Sequence, residues 1–284
     1  MFNYDNAFSR NIGWVTEREQ AVLKSKRIAI AGAGGVGGEH VVTLARLGIE
    51  QFNISDFDEF EVHNFNRQAG AFMSTVGKPK CETMEAIVKD INPEANIKSF
   101  NEGIFEHNVD AFLEGVDVYV DSLDFFALEA RKCLFKKCEE KRIPIITVAP
   151  LGMGAAYLCF MPGAMSFEEY FRFNDVQTEN EQLVKFLIGL SPAMLQREYL
   201  VDPSKANFKA QKGPSLSLSV KLCAGIAAAN TIKILLGRGD VIAAPRAIHF
   251  DAYKNKLVET NLRRGNRGLM QRIKFKVASN IVLK

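Results

Sequence analysis

The stretch from Lys26 to Gln68 constrains this chain more than any other. It opens with an apolar run, Arg27-Ile28-Ala29-Ile30-Ala31, that reads as a buried strand. A glycine cluster, Gly32-Ala33-Gly34-Gly35-Val36-Gly37-Gly38, follows directly and opens a helical pattern that stops at Gly48. Gly32-x-Gly34-x-x-Gly37 in that setting is a phosphate-binding spacing. Glycine lets the backbone come close to an anion, and the helix N-terminus directs free N–H groups at it. A second short run, Phe52-Asn53-Ile54-Ser55, ends at Asp56, where a carboxylate can hold ribose hydroxyls. Strand, glycine turn, helix, strand and terminal acid, in that order, point to a nucleotide.

The rest of the chain extends the pattern. Residues 1–10 are polar and read as an arm, and Thr16-Glu17-Arg18-Glu19 fits a capping box that starts a helix. Asp58 to Ala71 has no clean period and reads as a loop over the strand ends, carrying Asn64, Asn66, Arg67 and Gln68. Met84, Ile87, Val88 and Ile91 recur at helical spacing after Pro79. Strands are expected at 97–100, 116–121, 143–148 and 154–161, with helices at 109–113 and 127–140. That alternation predicts an α/β fold, a Rossmann-like, doubly wound and mostly parallel sheet. Residues 161–213 lose the rhythm, with short helical pieces at 167–173 and 182–187. They read as a crossing or lid segment. Ser217 to Leu236 is a long helix rich in small residues. Antiparallel strands are expected at 246–250 and 256–262, with a third at Ile273 to Val277. The parts are thus 1–25, 26–160, 161–213 and 214–284, the last completing the same domain.

Composition excludes little but orders the alternatives. Of 284 residues 47% are hydrophobic, ample for a core, and the net charge of +3 argues against a nucleic-acid partner. The locally basic run Arg263, Arg264, Arg267, Arg272, Lys274 and Lys276 reads as a solvated edge. The window Leu216 to Leu236 is interrupted by Lys221, Asn230 and Lys233, so a buried helix is expected and no membrane span. No basic-then-apolar signal pattern opens the sequence. Five scattered cysteines, none in a C-x-x-C pair, argue for reduced thiols and a cytoplasmic protein.

Five stretches together resemble the ThiF/MoeB family of ATP-dependent adenylyltransferases, relatives of ubiquitin-activating enzymes. They are Ser9-Arg10-Asn11-Ile12, Gly32 to Gly37, Asp56-Phe57-Asp58 through Asn64-Phe65-Asn66-Arg67-Gln68, Val76-Gly77-Lys78-Pro79-Lys80, and Asp121-Ser122-Leu123-Asp124. The match covers about residues 9 to 160, with a weaker echo from Gly213 to Leu236. The resemblance implies attack by a carboxylate on the α-phosphate of ATP, giving an acyl-adenylate and pyrophosphate. It implies that Gly32, Gly34, Gly35 and Gly37 hold the nucleotide with Gln68 nearby, and that Asp56 takes the ribose. Asn64, Arg67 and Lys80 would grip the phosphates, and Asp124 would ligate Mg²⁺. Asp58 either binds nucleotide or braces the loop. Arg10 matches an arginine that reaches the neighbouring subunit's site, which implies a homodimer. The substrate would be the C-terminus of a ubiquitin-like carrier protein or a peptide.

Departures from the family shape the expectation. Many relatives carry two C-x-x-C pairs for a structural zinc; this chain has none, so no zinc is expected and Met161 to Phe167 must be held by packing. Phe125 and Phe126 follow the metal aspartate, where relatives often have Asn. Residues 160–212 contain no cysteine, which favours adenylation without a covalent protein intermediate. Two alternatives stand beside this: a nicotinamide-dependent oxidoreductase, and a catalytically inactive nucleotide-binding partner subunit.

Overall fold

Short apolar runs pair side by side into one eight-stranded sheet, in the order β3-β2-β1-β4-β5-β6-β7-β8. The computed structural model describes residues 1–206, 210, 211 and 213–282. In chain order its elements begin with α1 (Tyr4–Ala7), α2 (Glu17–Ser25), β1 (Arg27–Ala31), α3 (Gly35–Arg46), β2 (Gln51–Ser55) and α4 (Lys80–Ile91). Then come β3 (Asn96–Phe100), α5 (Val109–Phe112), β4 (Val118–Asp121), α6 (Leu128–Glu140), β5 (Ile145–Leu151) and β6 (Gly154–Phe160). The chain continues through α7 (Phe167–Phe171), α8 (Glu179–Leu190), α9 (Ser217–Leu236), β7 (Arg246–Asp251), β8 (Lys256–Asn261) and α10 (Leu269–Val282).

Strands β1 to β5 pair in parallel, and β6 to β8 continue antiparallel from β5. The sheet is therefore α/β, doubly wound and mostly parallel, with an antiparallel addition, as the alternation of elements requires. Strand order reverses between β1 and β4, so the crevice beyond their carboxyl ends is where such sheets bind ligands. Ala31 lies opposite both Ser55 and Asp121, so Gly32, Asp56 and Ser122 emerge at one level of that crevice.

Each face of the sheet carries its own core. One is mainly aliphatic, built on Ile28, Ile30, Val41 and Leu44 with Phe52 among them, and closed by Cys223 and Ala227 of α9. Helix α9 is long and apolar enough to cross a bilayer, and here it packs on α3, β5 and β6. The other core is aromatic. Phe135 of α6 meets Phe167 at 4.2 Å between ring centroids, Phe160 meets Tyr170 at 5.9 Å, and Phe171 meets Phe186 of α8 at 5.1 Å. These rings hold α7 and α8 against β6, so the first half of the crossing segment is packed down. Capping boxes at Ser166–Glu169 and Thr178–Glu181 open both helices. The second box starts α8 at Glu179, earlier than the expected helix at 182–187. Residues 207–209 and 212 of the expected segment lie outside the described residues, as do 283 and 284.

Two expectations fail, each for a tertiary reason. Residues 1–10 are not a free arm. Tyr4 in α1 is buried; its hydroxyl donates to Gly48 O (2.6 Å) and accepts from Gln20 Nε2 (2.9 Å). The stretch Ile273 to Val277 is helix, not strand. Ile273-Lys274-Phe275-Lys276-Val277 alternates with period two, which mimics a half-buried strand. Apolar residues at 269, 273, 277 and 281 keep helical spacing instead. Gln271 donates to Ile188 O (2.9 Å) and Lys274 to Pro192 O (2.7 Å), which fixes the segment as α10 on α8.

Helix α3 buries His40, 1% exposed, with neither ring nitrogen hydrogen-bonded within the described residues. Burial pushes its pKa down to about 3. The folded state thus binds fewer protons than the unfolded chain between about pH 6.5 and 3, so stability falls as pH drops through that window. Relative to His40→Leu, the wild type should lose about 2 kcal/mol between pH 7 and pH 5. Urea unfolding at both pH values measures this; a difference independent of pH would show that His40 is not held neutral.

Candidate functional site

The crevice is assembled from strand ends. Gly32 leaves β1 with φ +90°, a left-handed conformation natural to glycine. A Cβ on Gly32 would run into Ser122 O, and one on Gly37 into Gly32 O. The turn is therefore a tight cradle that brings the β1–α3 connection against the β4 exit. Gly34 caps α3, and a Cβ there would lie 3.5 Å from Gln68 Nε2. A Cβ on Gly35 would lie 3.9 Å from Arg67 Cγ. The four glycines, Arg67 and Gln68 thus share one place.

Asp56 closes β2. Its Oδ2 accepts the Ala33 N–H (2.7 Å) and its Oδ1 the Asp58 N–H (2.9 Å). Lys80, at the start of α4 and only 5% exposed, lies 2.7 Å from Asp58 Oδ2 and 3.9 Å from Asp56 Oδ1. Backbone bonds from Lys80 N to Asp58 O and from Phe60 N to Lys78 O bring these distant segments together. Desolvation holds the Asp56 carboxyl above its usual range, opposed by the Lys80 charge and the two N–H bonds. Asp58 here pairs with Lys80 and joins the loop to the start of α4.

Arg67 Nη1 donates to His63 O (3.0 Å) and Asn66 Oδ1 (2.9 Å), which aligns the guanidinium beside the glycine turn. Asn64 is buried, and its Oδ1 accepts the Glu61 N–H (2.9 Å), so that oxygen caps the 62–64 turn. Asp124 is exposed on the turn after β4, with Oδ1 accepting the Phe126 N–H (2.9 Å). Arg10 is exposed in the turn Ser9–Asn11, and among the described residues no hydrogen bond or ion pair joins it to this cluster.

The sequence does not reveal the group that shapes the turn after β4. Arg131 of α6 is buried; its Nε donates to Asp121 Oδ2 (2.9 Å) and its Nη2 to Leu123 O (2.7 Å) and Asp124 O (3.2 Å). Tyr119 donates to Asp121 Oδ1 (3.2 Å), and the Arg131 guanidinium lies 4.6 Å from the Phe186 ring centroid. One arginine therefore ties β4, the Asp124 turn and the crossing segment together. The only signal in the sequence is an arginine inside an otherwise amphipathic helix, which is ordinary by itself.

The residues present fit a nucleotide. At Gly32 and Gly37 the cradle has no room for a side chain, and the buried Gln68 Oε1 and Ser122 Oγ beside it lack partners within the described residues. Asp124 is a lone carboxylate, and the described residues hold no cluster of three or more metal-ligating side chains. That donor set fits an ion carried largely by phosphate oxygens, the habit of Mg²⁺, which needs one or two protein carboxylates. All five cysteines are free; burial pushes the Cys81 and Cys159 thiols up to about 12 and raises those of Cys138 and Cys223 as well.

A doubly wound sheet with a glycine turn, an acid, a lysine and a strand-end aspartate at its switch point defines a nucleotide-binding protein. The chain belongs to the ThiF family, which it matches over residues 8–268. Among curated relatives it is 35% identical over 150 residues to the tRNA threonylcarbamoyladenosine dehydratase of Bacillus subtilis, covering 52% of this chain and 57% of that protein. It is 31% identical over 157 residues to the SAMP-activating enzyme E1 of Haloferax volcanii, covering 51% and 57%. These matches thus span little more than half of each relative. Among solved structures, Escherichia coli MccB with MccA shares the fold at a TM-score of 0.70 and 20% identity, over 95% of this chain and 75% of that one. MccB with ATP gives 0.67 and 20%, over 92% and 72%.

Proposed function

We propose that this chain is an ATP-dependent adenylyltransferase that activates a carboxylate, the C-terminus of a ubiquitin-like carrier protein or of a peptide, as an acyl-adenylate. One observation carries the reading: the glycine cradle, Asp56 with Lys80, Arg67 with Gln68, and the Asp124 turn converge on one switch-point crevice. A carboxylate oxygen bonds to the α-phosphorus of ATP, the bond to the β-phosphate bridging oxygen breaks, and pyrophosphate leaves. Such a step needs positioning and neutralisation of phosphate charge more than covalent help. The backbone of the glycine turn receives the phosphates. Asp56 keeps acceptor sites free for ribose hydroxyls, since each carboxylate oxygen accepts more than one bond. Arg67 provides a planar fork for phosphate oxygens. Lys80 exchanges Asp58 for phosphate oxygens when nucleotide enters. Asp124 would hold Mg²⁺, which neutralises phosphate charge when bound.

The buried thiols support transfer of the activated acyl group to an external sulfur or amine nucleophile, or its consumption on the enzyme. The small net charge of +3 supports a peptide or small-protein substrate over a tRNA, the molecule for which the Bacillus subtilis relative is named. The nicotinamide alternative lacks its second half, because among the described residues the parallel strands end at β5. An ATP–pyrophosphate exchange screen over carrier proteins, peptides and modified tRNA tests the reading. Exchange with a carrier or peptide supports it; tight NAD binding without any exchange overturns it.

The working form is a cytoplasmic homodimer in which Arg10 serves the neighbouring site. Arg10 stands apart from its own cluster, and Trp14 nearby is 86% exposed, apolar surface that a second copy could cover. Mixing inactive Arg10→Ala and Asp124→Ala chains should then restore about a quarter of wild-type exchange. Half of the dimers are mixed and each has one intact site, by the symmetry of a two-fold assembly. No recovery on mixing would remove Arg10 from the neighbour's site.

A further inference from the structure

We infer that the outward face of α10 is a docking surface for an acidic helical segment of a partner protein. Leu269, Met270, Ile273, Val277 and Ile281 are 46–75% exposed and follow helical spacing, so they form one apolar ridge along α10. Beside and behind the ridge the helix is committed to the fold: Lys274 and Gln271 bond to carbonyls around the end of α8. The ridge is thus held rigidly outward, the way a helix presents anchors to a groove.

Charge says what covers it. From Thr260 to Lys284 the sequence has seven Lys and Arg residues and no acid. Arg267 pairs with Asp175 at 3.0 Å, whereas Arg263, Arg264, Arg272 and Lys276 make no salt bridge among the described residues. Two unneutralised cations on α10 beside the ridge, Arg272 and Lys276, and two just before the helix, Arg263 and Arg264, complement a partner with acids around its own apolar stripe. A second copy of this chain is the wrong occupant, since a two-fold contact would set the same cations against each other. The inference does not depend on the nucleotide chemistry.

The test uses the full chain and a labelled, designed helical peptide with leucines at four-residue spacing and glutamates elsewhere. Its lysine-for-glutamate counterpart, phosphatidylglycerol vesicles and bulk tRNA serve as comparators. The acidic peptide should bind and the lysine peptide should not. Ile273→Asp with Val277→Asp should weaken binding about tenfold or more. Arg272→Glu with Lys276→Glu should transfer preference to the lysine peptide. Thermal unfolding of these surface variants should match wild type. Three results would overturn the proposal: no binding of the acidic peptide, equal binding by the variants, or retention by vesicles or tRNA alone. Concentration-dependent self-association lost in Ile273→Asp would overturn it too, by making the ridge a self-contact.

Discussion

Arg131→Met is expected to destabilise the protein by about 3–5 kcal/mol, the usual cost of stranding one partner of a buried ion pair. The pair is buried on both sides, with the Arg131 and Asp121 side chains 3% and 1% exposed. Methionine preserves much of the volume against Phe186 but leaves Asp121 with only the Tyr119 hydroxyl and the Leu123 N–H. Adding Asp121→Asn should return part of the loss, because a neutral amide costs less to bury than an unpaired carboxylate. Urea unfolding of wild type, both single variants and the double variant gives the coupling directly. A loss below about 1 kcal/mol for Arg131→Met would mean that water reaches the pair and neutralises the change.

Asp124→Ala should leave the fold almost untouched and cut pyrophosphate exchange by about 10²–10³-fold, the usual scale for removing one preorganised electrostatic contact. Asp124 is exposed, and its side chain accepts the N–H of Phe126 within the turn. Losing that contact costs roughly 0.5–1.5 kcal/mol. Exchange assays and thermal unfolding on the same preparations separate the two effects. Full activity in the variant would detach Asp124 from the chemistry; an unfolded variant would make it a structural residue. The pairing of these variants is informative because Arg131, from α6, braces the turn that carries Asp124. Arg131 holds the carbonyl of residue 124 from behind, while Asp124 faces solvent.

Local grammar made part of this legible in advance. The Ile28–Ala31 run, the glycine spacing and the acid at Asp56 each follow from backbone sterics within a few residues, and the Thr16–Glu19 capping box forms as its spacing requires. What escaped depends on partners far away in sequence. Tyr4 is anchored by Gly48 and Gln20, Lys274 by Pro192, and Arg131 by a carboxylate ten positions back and a ring in another segment. In the site, the proximity of Arg67 and Gln68 to the glycine turn followed from loop placement. The ion pair of Lys80 with Asp58 did not, because it needs the α4 entry folded back over β2.

The main excursion of the chain leaves the sheet after β6 and rejoins it before β7, and its two ends are hydrogen-bonded neighbours: Ala244 N donates to Cys159 O at 2.8 Å. Closing so wide a loop costs only logarithmically more as it lengthens, and its anchor points do not move. Residues 161–243 therefore behave as an exchangeable cassette clipped onto a fixed chassis, free to diverge in length and sequence as long as its aromatic plug and α9 still seat.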